Sequence, residues 1–219
     1  MFLEVVATSL ADIRKINNSK ADKIQFCKNL DVNGLTPNID DILVADQIAL
    51  KPIDIMIRTS DDNFIFTEYE LRKQIQMISM ISKLSNINGV VIGALNNESA
   101  INETFLEQVN KVRANLKLTF HQAFDQVKDF KQALNILEKH NIDSVLISVS
   151  DDLEKSLKDI KELKSGYPKI KFVINFETNQ NIKQYIKARD YVHISTSARV
   201  DQNLNSEISI ENINAFKEK

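Results

Sequence analysis

The chain has 219 residues, 43% of them hydrophobic and 26% charged, a balance that fits one ordinary globular core and excludes a disordered chain. Twenty-eight basic against thirty acidic side chains leave a net charge of −2, and neither sign gathers in blocks, so the electrostatic footprint of a nucleic-acid binder is missing. No apolar run is long enough to span a bilayer, and the start Met1-Phe2-Leu3-Glu4 has a carboxylate inside its apolar run and no basic flank, which argues against a secretory signal. The single cysteine, Cys27, cannot form an intramolecular disulfide and fits a reducing compartment, so a cytoplasmic location is expected.

In chain order, an apolar strand pattern over Phe2 to Ala7 precedes a helical pattern over Leu10 to Ile16, and Lys23 to Cys27 precedes Ile39 to Ile48. Ile53 to Arg58 is followed by Glu68 to Leu84, Gly89 to Ala94 by Glu103 to Val112, and Leu116 to Phe120 by Phe130 to Lys139. Ser144 to Ile147 leads into Leu153 to Leu163, Ile170 to Asn175 into Asn181 to Ile186, and Tyr191 to Ser195 into Ile208 to Phe216. The strand runs are rich in β-branched residues, and the helical runs repeat their apolar positions at the 3.6 period. Helix starts are marked by Asn38 after Pro37, by Thr67 with Glu70 as a capping box, and by Asn102. Strand then helix, eight times, predicts an α/β fold, a single-domain (β/α)8 TIM barrel over residues 1–219. An open doubly wound sheet is the alternative, but it lacks its glycine-rich turn after the first strand.

Alternation within the strands assigns side chains to the barrel axis. Glu4 lies between Leu3 and Val5; Gln25 shares a phase with Cys27, Met56 with Arg58, Thr119 with His121, Val173 with Asn175, and His193 with Ser195. If the apolar phase meets the helices, these polar groups converge inside the barrel. Glu4 and Arg58 are each other's nearest counter-ion in this scheme and are expected to pair. His121 closes the fifth strand at the end where such barrels keep their chemistry, and Asp125 follows four residues on. That spacing suggests a general acid/base with a carboxylate to orient it. Gly34 and Gly93 read as turns or sites of close backbone approach, and His140 as a helix-terminal or solvated histidine.

The ordered set Leu3-Glu4-Val5, Ala21-Asp22 with Ile24 and Cys27, Gly34-Leu35-Thr36-Pro37, Met56-Ile57-Arg58, Gly89 to Leu95, Thr119 to Asp125 and Ser197-Ala198-Arg199 resembles the CutC family. That resemblance implies a TIM barrel and a role in copper homeostasis. Glu4, Arg58, His121 and Asp125 are the expected catalytic residues, with Arg58 read either as the buried ion-pair partner of Glu4 or as an anion binder, and Gln25, Asn175, Ser197 and Arg199 are expected to bind substrate. This chain departs from the family pattern at Val6, where the family has cysteine, at Gln25 for glutamate, at Thr59-Ser60 for Pro-Arg, and at Ser195 for histidine. The sixth- and seventh-strand ends, Ile147-Ser148-Val149 and Asn175-Phe176-Glu177, also differ. A two-cysteine copper site therefore has no second thiol in one monomer. Any copper is expected as weakly held Cu(I), with Cys27 as principal ligand and Met56 as the second soft donor. Three readings stay open: copper handling, a barrel enzyme doing acid–base chemistry on a small polar or anionic metabolite at the carboxyl face, and an inactive binding scaffold. Whether copies associate as a homo-oligomer is left open as well.

Overall fold

The computed structural model describes residues 1–61, 63–150, 152–176 and 186–218. Eight strands, β1 (Phe2–Ala7), β2 (Lys23–Phe26), β3 (Ile53–Met56), β4 (Ile87–Ile92), β5 (Lys117–Phe120), β6 (Ser144–Ser148), β7 (Lys171–Asn175) and β8 (Tyr191–Ile194), pair in parallel in sequence order and close with β8 on β1. Among the described residues six helices connect them, α1 (Leu10–Asn17), α2 (Ile39–Ile48), α3 (Glu68–Ile81), α4 (Glu103–Val112), α5 (Phe130–Lys139) and α6 (Leu153–Gly166), and α7 (Ile210–Lys217) follows β8. The helix predicted from Asn181 lies outside the described residues, apart from Ile186.

Period-2 alternation is what closes this barrel. Leu3, Val5 and Ala7 of β1 are fully buried in the same apolar layer as Ile13 and Ile16 of α1, and Ile24, Phe26, Ile53 and Ile55 continue that layer along β2 and β3. Each such side chain contributes about 1.5–3 kcal/mol on burial, so the sheet–helix layer carries the stability. The opposite phase turns to the axis. There Val6, Cys27, Met56 and Val91 form a second, smaller buried cluster.

Local signals place most element ends. Thr67 and Glu70 make both hydrogen bonds of a capping box at α3, and the side chain of Asn102 accepts from Phe105 N at 3.0 Å. Asn38 departs from expectation: it stands at the N-cap of α2 without a side-chain capping bond, and its Oδ1 instead accepts from Lys28 Nζ at 3.2 Å. Helix α3 stops at Ile81 rather than Leu84, where Ser82 Oγ turns back to Ser79 O at 3.0 Å and competes with the next helical turn. The β3 ladder ends at Met56, although Ile57 N still donates to Val91 O at 2.8 Å. Arg58 thus leaves the sheet at its carboxyl end. Thr36 receives it there: Arg58 N donates to Thr36 Oγ1 at 2.8 Å, and Thr36 N to Arg58 O at 2.9 Å.

Candidate functional site

Where the strands end, a small cavity of about 30 Å³ is lined by Gln25, Cys27, Met56, Arg58, His121 and His193, with Val6, Leu30, Asn33, Phe64, Leu146 and Ser195 completing its walls. This volume holds about one water molecule. A far larger depression of about 1140 Å³ opens between α5 and α6 and is lined by Asp125, Phe130, Ser148 and Tyr167. Its lining holds no histidine or arginine, whereas the small cavity brings together His121, His193 and Arg58.

His121 is 2% exposed and closely seated. A Cβ on Gly93 would lie 2.3 Å from His121 Cε1 and 2.5 Å from Nδ1, so the absent side chain of Gly93 is what lets the ring lie against β4. His121 Nδ1 accepts from Ala123 N at 3.1 Å, whereas its Nε2 is buried with no hydrogen-bond partner among the described residues. Burial, and then the positive charge of Arg58, hold the imidazolium pKa down to about 3, so the ring is neutral near pH 7. The Arg58 guanidinium lies 4.9 Å from the centre of the Phe64 ring and donates to Val32 O, to Gly34 O at 3.4 Å and to Asp61 O at 3.0 Å. Gly34, at φ +85°, makes the left-handed turn that aims its carbonyl there. Gln25 is 3% exposed, and its Oε1 also lacks a partner among the described residues.

The partner of Glu4 is a correction. Glu4 was expected to pair with Arg58, but its Oε2 lies 2.9 Å from Lys23 Nζ and its Oε1 2.8 Å from His193 Nδ1. Register explains this: Glu4 stands opposite Lys23 on one side and His193 on the other, while Arg58 sits beyond the end of β3. Lys23 Nζ also lies 2.5 Å from Asp54 Oδ2, and Asn88 Nδ2 donates to Asp54 Oδ1 at 2.6 Å. Burial opposes ionisation of Glu4, but the Lys23 charge and the His193 hydrogen bond override it and hold the pKa at about 2. Burial of Asp54, aided by the nearby Glu4 charge, leaves its carboxyl above the usual range in spite of Lys23.

Three further expectations shift. Asp125 does not orient His121: its Oδ1 accepts from Ser148 N at 3.1 Å, because the 3-10 turn Gln122–Gln126 carries it over β6 while Ala123 takes the histidine nitrogen. Arg199 is buried away from the chamber, donating to Asp12 Oδ2 and Thr8 Oγ1 at 3.0 Å each and to Ser206 O at 2.7 Å, so it ties the last turn to the start of α1. Ser197 is half-buried on the turn Thr196–Ala198, and Asn175 is buried at the end of β7; neither lines the chamber. His140 is buried at the C-cap of α5, its Nε2 3.0 Å from Glu103 Oε2. The residue that sequence reasoning left off the site is His193. Its phase, opposite Glu4 across β1 and β8, is the signal that locates it. Cys27 and Met56 do share one buried cluster, and among the described residues no group of three or more His, Cys, Asp and Glu side chains is arranged to hold a metal ion.

A closed parallel (β/α)8 barrel with polar groups gathered at its carboxyl ends defines the class. The chain belongs to the CutC family, whose model matches residues 1–198. It is 34% identical over 137 residues to a family protein CutC of Glaesserella parasuis, covering 63% of this chain and 56% of the relative. It is 30% identical over 149 residues to the human copper homeostasis protein cutC homolog, covering 68% and 54%. The chain thus spans little more than half the length of these curated relatives. A crystal structure of CutC from Streptococcus agalactiae superposes with a TM-score of 0.80 at 25% identity, covering 88% of this chain and 97% of that one. Orotidine 5'-monophosphate decarboxylase from Methanocaldococcus jannaschii shares the fold alone, with a TM-score of 0.62 at 13% identity over 100% and 97% of the two chains. No helix among the described residues is long and apolar enough to cross a membrane.

Proposed function

We propose that the chain binds a small anionic or polar metabolite in the chamber at the carboxyl end of the barrel and acts on it by proton transfer. The observation that carries this reading is the buried, unpartnered Nε2 of His121 in a chamber walled by Arg58, Gln25 and His193. A buried donor without a partner costs about 1–3 kcal/mol, and a ligand that accepts from it recovers that cost. The positive charge of Arg58 favours an anion. Mass spectrometry of the purified protein denatured in organic solvent, followed by thermal shift with each anion found, tests the reading. A stabilising anion whose effect falls at least tenfold in affinity in Arg58→Met is expected; no anion released and none stabilising would overturn it.

A second reading, copper(I) binding in copper homeostasis, is supported by the names of the human and Dictyostelium discoideum relatives, each a copper homeostasis protein cutC homolog, and by Cys27 and Met56 lying in one cluster beside Gly34. One thiolate and one thioether suit Cu(I) and fit Zn²⁺ poorly. Competition with a Cu(I) chelator under reducing conditions tests it. Equal copper retention by wild type and Cys27→Ser, or none by either, would remove it.

A further inference from the structure

The two histidines of the chamber are held in opposite tautomers. Ala123 N–H donates to His121 Nδ1 at 3.1 Å, so that nitrogen carries the lone pair and the ring proton sits on Nε2. The Glu4 carboxylate, 2.8 Å from His193 Nδ1, only accepts, so the proton of a neutral His193 sits on Nδ1 and its lone pair on Nε2. Glu4 is itself held by Lys23 at 2.9 Å, which keeps the carboxylate ionised and pointed at the ring. His121 Nε2 is buried without a hydrogen-bond partner among the described residues, His193 is bonded to Glu4 through Nδ1, and both residues line the same small cavity. One imidazole therefore offers a donor and the other a base.

From this pairing we infer that the chamber takes a small anionic compound with a carbonyl group beside a C–H carbon, and that His193 removes that hydrogen while His121 holds the carbonyl oxygen. This rests on the ligand-binding reading above and adds the reaction class to it. In the step, the Nε2 lone pair of His193 takes the proton, and the electron pair of the broken C–H bond becomes a C=C bond. The carbonyl π pair moves onto oxygen, which accepts from His121 Nε2–H. Returning the proton to the same carbon restores the compound with solvent hydrogen incorporated. Where the C–H carbon also bears a hydroxyl, returning the proton to the former carbonyl carbon while the hydroxyl proton passes to the other oxygen moves the carbonyl one position along. No oxidant, reductant or further reactant enters. A neutral donor suits this task, since the low imidazolium pKa of His121 keeps it from simply protonating the ligand, and Arg58 offsets the charge gathering on oxygen. Glu4 is a positioning residue, acting through the His193 ring. The cavity as it stands holds about one water, so a three- or four-carbon compound requires it to widen.

The test has two arms on the intact chain. Long-range ¹H–¹⁵N NMR of the imidazoles, with His140 as a third signal assigned by His140→Gln, reads the tautomers. The Nε2–H form is expected for His121 and the Nδ1–H form for His193, with the His193 preference lost in Glu4→Gln, whose amide can donate. His193 found in the Nε2–H form overturns the inference. The second arm incubates the protein in D₂O with hydroxypyruvate and with dihydroxyacetone phosphate, reading thermal shift and deuterium uptake. Expected are stabilisation by at least one, and uptake at the carbon beside its carbonyl that falls at least 100-fold in His193→Gln while stabilisation persists. Stabilisation without uptake overturns the reaction and leaves the binding reading standing. Stabilisation by neither, together with no co-purifying anion, removes both.

Discussion

The two ends of the barrel interior solve the same problem differently. Toward the amino ends of the strands, Lys23 sits between Glu4 and Asp54, and Asn88 supports Asp54. Charge there meets charge within the chain. Toward the carboxyl ends, His121 Nε2 and Gln25 Oε1 are equally buried and have no partner among the described residues. A paired polar cluster holds strand register, whereas the buried atoms without partners at the other end are what the proposed ligand would satisfy. His193 joins the two, bonded to Glu4 on one side and lining the chamber on the other.

Breaking the satisfied end should have the largest effect. Lys23→Met leaves two buried carboxylates without their cation and is expected to cost about 3–5 kcal/mol in urea unfolding at pH 7. Adding Glu4→Gln and Asp54→Asn should recover most of it. Equal stability of the single and triple variants would show that the cluster is solvated rather than buried.

Acid separates the two ends by pH window. The folded His121 pKa of about 3 lies below the ordinary 6.5, so its contribution is full above pH 6.5 and is lost as pH falls toward 3, of order 3–5 kcal/mol in all. Glu4, at about 2 against 4.5, contributes fully above pH 4.5 and loses that contribution only below it, by about 3 kcal/mol. Between pH 6.5 and 4.5 the decline of stability should therefore be flatter in His121→Asn than in wild type, with the steep loss below pH 4.5 retained. Parallel curves in the upper window would contradict the buried neutral histidine.

Gly93→Ala sharpens the description of the chamber. The new methyl meets the His121 ring at 2.3 Å and should cost about 1–3 kcal/mol by overpacking. In a double-mutant cycle with His121→Ala, most of that cost should vanish. Additive effects would mean the ring can move aside freely.

The smallest effect is expected at Asp125, which sequence reasoning placed beside His121 and the fold places on Ser148 N. Asp125→Asn should change stability by no more than about 0.5–1 kcal/mol and leave the His121 imidazole ¹⁵N shifts unmoved. A shift in those signals would restore the original pairing.

The barrel was legible because its information is local. Alternation along Phe2–Ala7 or Lys171–Asn175 puts an apolar phase against the helices wherever the strand ends up, and the capping box of Thr67 and Glu70 needs only three residues of separation. The inward side chains Glu4, Gln25, Arg58 and His121 follow from the same period. Partners are another matter. Glu4 meets Lys23 and His193 rather than Arg58 because barrel closure sets β2 and β8 on either side of β1 at one register. Arg199 is taken by Asp12 from 187 residues away, and Asp125 swings over β6. Period-2 patterning reports which face a side chain takes, since that depends on its own strand; which charge it meets depends on the stagger of strands far apart in sequence, and only the closed sheet decides that.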